Sequence, residues 1–113
     1  MQSQAITRQA GSVAVVDLSG SIVNPGGTGL LRKTIQELVA SGQRNVLLNL
    51  ANVTYMDSAG MGELVVACTT VRRLGGDLKL VNPQARIANL LQMTKLSTIF
   101  AIFGDEQTAL GSF

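Results

Sequence analysis

The sequence predicts an α/β fold: a small, mostly parallel sheet with an N-terminal antiparallel strand, packed with about four helices. Three observations carry that expectation. Segments with apolar residues at helical spacing alternate with short, nearly all-apolar runs. Glycine and proline punctuate the chain at even intervals. Strands that alternate with helices after an initial hairpin require parallel neighbours joined by right-handed crossovers.

Each element has its own signal in the sequence. A weak first strand falls at residues 4–8 and a clear second one at 12–18, where Val13, Val15 and Val16 precede Gly20. Residues 21–29, SIVNPGGTG, read as an irregular loop, because three glycines and a proline oppose regular pairing. A helix over 28–40 places Leu31, Ile35, Leu38 and Val39 on one face and stops at Gly42. The run VLLNL at 46–50 reads as a strand buried on both faces. Met61, Leu64, Val65, Cys68 and Val71 mark the inward face of a second helix, which Gly75-Gly76 ends. A strand at 78–81 leads to Asn82-Pro83, a helix-opening pair, with Ile87, Leu90 and Leu91 inward in the third helix. A last strand at 99–103 precedes a short helix that Asp105 caps.

Composition narrows the function classes. The chain has 113 residues, 46% of them hydrophobic, enough for one core without metals or disulfides. Its charged fraction of 14% lies below the roughly 25% of an average domain, which hints at an apolar docking face. The nine basic residues are scattered and there is no tryptophan, so nucleic-acid binding is not expected. Histidine is absent and the single cysteine, Cys68, lies in an apolar helical pattern, which points away from metal and thiol chemistry. No cofactor is expected. Residues 1–11 hold no apolar signal core and no apolar run is long enough to span a bilayer, so the expected location is the cytoplasm, without membrane insertion.

The informative stretch is NLANVTYMDSAGMGELV, residues 49–65. A strand exits into a short loop that delivers Asp57-Ser58 to the start of a helix. Ser58 is the expected N-cap, its hydroxyl near the free amides of Ala59, Gly60 and Met61. Gly60 and Gly62 each cost a helix about 1 kcal/mol relative to Ala, and missing side chains let another molecule approach the backbone. Met61 falls on the core side, whereas Met56 is expected to be exposed and adaptable at a docking surface.

The run Asp57-Ser58-Ala59-Gly60-Met61-Gly62 resembles the signature of the STAS family, the anti-sigma-factor antagonists of bacterial partner switches. There an apolar strand and a short loop lead into Asp-Ser-Ser-Gly-Leu-Gly at a helix start. The similarity extends over nearly the whole chain, through residues 15–20, 46–50, Gly75-Gly76 and 90–109. It implies a single STAS domain over 1–113 that is a regulator and not an enzyme. It also implies that Ser58 is phosphorylated by the partner, an anti-sigma factor with ATP-dependent serine-kinase activity. The unphosphorylated domain would bind that kinase, and a PP2C-type phosphatase would reverse the mark. Asp57, Ser58, Gly60 and Gly62 match the family pattern, and Met56, Ala59 and Met61 complete the expected docking segment. Three positions depart from it: Ala59 replaces the second serine, Lys95 replaces a common turn glycine, and Ser21, Ile22 and Val23 stand where the family often has Glu-Leu-Asp. Partner choice, more than stability, is expected to reside in residues 21–28. The expected oligomeric state is a monomer or weak dimer.

Two other readings have less in the residues. A non-switching STAS scaffold, or a subunit of a stress-signalling, transporter or lipid-transport complex, would share the fold and gains from the altered segment at 21–23. An enzyme would use Ser58 as nucleophile, but no histidine is available as base and Gly-x-Ser-x-Gly is missing. The glycines of NPGGTG lack the Lys-Ser/Thr ending of a phosphate loop, since Leu30 follows Gly29.

Overall fold

The valine-rich run after Gly11 forms the long strand β2 (Val13–Ile22), and β1 (Gln4–Ala10) pairs with it antiparallel. The structure, a computed structural model, describes residues 2–113. The strands β3 (Asn45–Met56), β4 (Asp77–Val81) and β5 (Ile102–Phe103) add in parallel, giving the order β1-β2-β3-β4-β5. Because each strand pairs with the next in the chain, right-handed crossovers put every connecting helix on the same side. Those helices are α1 (Gly26–Ala40), α2 (Ser58–Arg73) and α3 (Ala85–Met93). The last helix, α4 (Glu106–Gly111), follows β5.

The two faces of the sheet are covered unequally. On the broad side, Leu31 and Ile35 of α1, Leu64 and Val71 of α2, and Ile87 and Leu91 of α3 pack on Val16, Leu48 and Leu80. Each such side chain contributes about 1.5–3 kcal/mol by leaving water. Most residues of the helical faces expected from spacing are buried, Cys68 included, with Val39, Val65 and Leu90 partly so, and burial pushes the Cys68 thiol up. On the reverse side, alternation along the strands points Val13, Val15, Leu47 and Val81 toward Ala109 of α4. Lys79 also faces that side. Its ammonium donates to the Ser112 carbonyl at 2.7 Å and the Ser112 hydroxyl at 2.9 Å, and lies 4.6 Å from the Phe113 ring.

Several boundaries differ from expectation, each for a local reason. β3 runs to Met56 rather than Leu50, because β2 continues beside it, pairing Gly20 with Val53 and Ile22 with Met56. Two register shifts in that stretch obscure the alternation that sequence would show. The loop expected over 21–29 shrinks to residues 23–25, since Ser21 and Ile22 are in β2 and α1 starts at Gly26. One first-turn glycine fits a close approach: a side chain on Gly27 would meet the Ile22 Cα and the Ser21 carbonyl oxygen at 2.7 Å. Asn82-Pro83 does not open α3. Gln84 is the N-cap, and Asn82, at φ +57°, still donates to the Phe103 carbonyl beside β5. The last strand is only two residues long, because Leu96–Thr98 forms a 3-10 turn and Phe100 turns into the core.

Other sequence signals hold. Gly42 and Gly75 sit just past their helices at φ +93° and +84°, the left-handed conformation that glycine adopts at no cost. Asp105 caps α4, accepting from the Thr108 amide at 2.9 Å. Lys95, which stands where a glycine is common, has φ +62°. One ionic cluster ties the chain's two ends together. Arg8 on β1 donates to Asp17 of β2 at 2.8 Å and to Glu106 of α4 at 2.9 Å, and Asn49 donates to Asp17 at 2.8 Å. Hydrogen bonding to the Arg8 guanidinium holds both the Asp17 and the Glu106 carboxyls below the usual carboxylate range.

Two outcomes follow from this geometry. A left-handed conformation costs a residue with a Cβ roughly 1–2 kcal/mol, partly offset by the entropy a glycine loses on folding. Lys95→Gly should therefore stabilise the domain by about 0.5–1 kcal/mol, raising the melting temperature in calorimetry by a few degrees. A melting temperature at or below that of the parent rejects strain at Lys95. The second outcome concerns acid. Asp17 and Glu106 have lowered folded-state pKa values, so their stabilisation is complete above the unfolded values of about 4 and is lost as pH falls through the folded ones. Between about pH 4 and pH 2, urea melts of Arg8→Ala should show a weaker loss of stability than the parent. Equal acid slopes for the two would remove Arg8 as the cause.

Candidate functional site

The last residues of β3 carry the chain to the rim of the sheet, where Asp57 turns it into α2. Asp57 keeps an extended backbone at φ −90° and ψ −178°, and its carboxylate accepts the Gly60 amide at 2.7 Å. Its carbonyl accepts the Met61 amide at 3.0 Å. Asp57, not Ser58, is thus the N-cap. Both residue types cap well, but the carboxylate has two oxygens and uses both: the second accepts the Asn24 amide at 3.2 Å. Ser58 moves one place along, into the first position of the helix. It is exposed, and its hydroxyl has no hydrogen-bond partner among the described residues.

The expected docking residues divide by burial. Ser58, Ala59 and Gly62 are exposed, and Asp57, Ser21 and Val23 are half-buried. Ile22, Met56, Gly60 and Met61 are buried. For Met56 this corrects the expectation of an exposed, adaptable side chain. It is 1% exposed, because the extended β3 turns it inward beside Ile22. Gly60 also has an internal role. A side chain there would collide with the Ile22 carbonyl oxygen and come within 2.7 Å of the Met56 Cγ. Around Gly62, by contrast, a Cβ would meet nothing within 4 Å, so that helix surface is open to an approaching molecule.

Two features had no clear signal in the sequence. The Asn24–Asp57 contact uses a backbone donor, which any residue but proline supplies. The other is the pair Arg32–Glu63 between α1 and α2, joined by two bonds of 3.0 Å each. Glu63 is buried beside Leu64, and a carboxylate at an inward helical position was the only available hint of a partner. Near the rim, an open cavity of about 450 Å³ lies between the end of β2 and the start of α1, lined by Ser21, Val23, Asn24 and Leu30. Lys79 is engaged by Ser112 on the reverse side of the sheet and is remote from Ser58 in the fold. No helix among the described residues is long and apolar enough to cross a membrane.

Comparison with known proteins agrees with this architecture. The family model for the STAS domain matches residues 4–109. The anti-sigma F factor antagonist of Paenibacillus polymyxa is 27% identical over 99 residues, covering 87% of this chain and 84% of that one. The anti-sigma-B factor antagonist of Bacillus subtilis is 36% identical over 73 residues, 65% of this chain and 66% of its own length. These relatives are regulators and not enzymes. Among solved structures, the tm1081 protein of Thermotoga maritima superposes with a TM-score of 0.88 at 21% identity, covering 96% of this chain and 92% of that one. The Bacillus cell fate determinant SpoIIAA, in its phosphorylated form, gives a TM-score of 0.74 at 18% identity, covering 96% and 98%. With the five strands in order, the glycines packed under two helix starts, and a family match over nearly its whole length, the chain belongs to the STAS domain family.

Proposed function

We propose that this chain is an anti-sigma factor antagonist, docking on an anti-sigma factor with serine-kinase activity and released by phosphorylation of Ser58. The observation that carries the reading is Ser58 itself: exposed, without a hydrogen-bond partner among the described residues, and first in a 16-residue helix whose N-cap is another residue. A kinase reaches such a hydroxyl without unfolding the domain. The γ-phosphoryl group of ATP passes to Oγ, the hydroxyl proton leaves and ADP departs. The names of the curated relatives support the antagonist role.

The chemistry of the position suits a switch. A phosphate adds about −1.5 to −2 charges. The dipole and amides of a helix start tolerate that charge, so the fold survives. Against a docked partner the same charge must be desolvated beside Asp57, which costs several kcal/mol unless cations pair with it. Ala59, Gly62 and the rim of the 21–23 segment would form the surrounding contact surface. A PP2C-type phosphatase would restore the binding form, and the cytoplasm is where kinase, phosphatase and sigma factor meet. A scaffold that never switches is the competing reading, favoured by the lack of an acidic residue at Ser21, Ile22 and Val23.

Incubation with the cognate kinase, ATP and magnesium should add one phosphate, placed on Ser58 by peptide mass spectrometry and absent from Ser58→Ala. Ser58→Asp should melt within a few degrees of the parent while its affinity for the kinase falls about tenfold or more in calorimetric titration. Modification at Thr69 or Ser41 that persists in Ser58→Ala, or unfolding of Ser58→Asp, overturns the switch and leaves the scaffold.

A further inference from the structure

We propose that Asp57 is a positioning residue that transmits phosphorylation of Ser58 to the start of α1, so that the mark reshapes the cavity beside the docking segment. The inference rests on the Ser58 switch read above and adds how the mark spreads. Its basis is the division of one carboxylate between two elements: one oxygen holds the Gly60 amide of α2 at 2.7 Å, the other the Asn24 amide ahead of α1 at 3.2 Å. Asn24 also lines the open cavity, together with Ser21, Val23 and Leu30. The Asn24 amide is the link between Asp57 and that cavity wall.

A phosphate on Ser58 is covalently next to this carboxylate and seeks the same helix-start amides. Two neighbouring anions cannot share them without repulsion, and among the described residues no lysine or arginine lines the cavity to neutralise the pair. The one arginine on α1, Arg32, is already bound in bidentate fashion by Glu63. The backbone at Gly60 cannot yield, being packed directly on the Ile22 carbonyl. Asp57 is the movable member. Its turn away from the phosphate releases the Asn24 amide, and the 23–25 segment relaxes while the sheet and helices stay in place.

The test uses the full chain, nitrogen-15 labelled, with phosphoserine installed at position 58 during translation so that no kinase is needed. Phosphorylation should shift the Asn24 amide proton upfield and accelerate its exchange with solvent about tenfold, the loss of one hydrogen bond. Asp57→Asn keeps a good cap but offers one acceptor oxygen. It should show the fast Asn24 exchange already without phosphate and little further change with it. An Asn24 amide indifferent to phosphoserine, or responding equally in Asp57→Asn, overturns the proposal. Titration of the same samples with the kinase separates the two ideas. Lost docking with an unmoved Asn24 leaves the switch standing and this coupling refuted, whereas a moved Asn24 with undiminished docking does the reverse.

Discussion

Much of the site's geometry depends on the backbone of Ile22. Two helix starts close on that residue at once, α1 through Gly27 and α2 through Gly60, and neither position has room for a Cβ. Main chain packed on main chain fixes the helices relative to the rim of the sheet more tightly than side chains with rotamer freedom would. The helix-propensity cost of Gly60, about 1 kcal/mol, is offset by this close approach. Asp57 then completes the junction by hydrogen-bonding to both sides of it.

That junction explains how the Ser58 hydroxyl is exposed on a backbone that is not loose. Asp57 takes the capping role, which leaves the Ser58 side chain uncommitted while its backbone is fixed by the first helical turn. Had Ser58 been the cap, its hydroxyl would have been spent on an amide of its own helix. Gly62, on the open surface one turn further, keeps the approach clear. The two glycines of the motif therefore do different jobs: one lets the domain close on itself, and the other leaves space for something else.

Sequence made the helices legible because their inward faces repeat with the helical period, as Leu31, Ile35, Leu38 and Leu64, Cys68, Val71 show. The helix start at Asp57 and Ser58 was legible through its motif. What escaped lay where periodicity fails or backbone takes over. The outer half of β3 is bulged against β2, so Met56 could not be assigned to a face by counting. Asp57 and Ser58 are both good caps, and their order was settled by which side chain reaches two amides rather than one. The Asn24 contact had no residue signature at all. Pro83 suggested a helix start two residues early, because Asn82 remains attached to the β5 side of the sheet.

The unequal cover of the sheet bears on how the chain is made. The broad face can be closed progressively as α1, α2 and α3 leave the ribosome, each packing on a strand already synthesised. The reverse face has no such local cover. Val13, Val15 and Leu47 wait for Ala109, and Arg8 waits for Glu106, 98 positions further along. Contacts of that sequence separation form late and slowly. Until residues 106–113 emerge, the nascent chain displays an apolar strip and an unaccompanied Lys79 ammonium. Biosynthesis thus leaves this surface open to a chaperone, or to another nascent chain, for the whole interval of elongation.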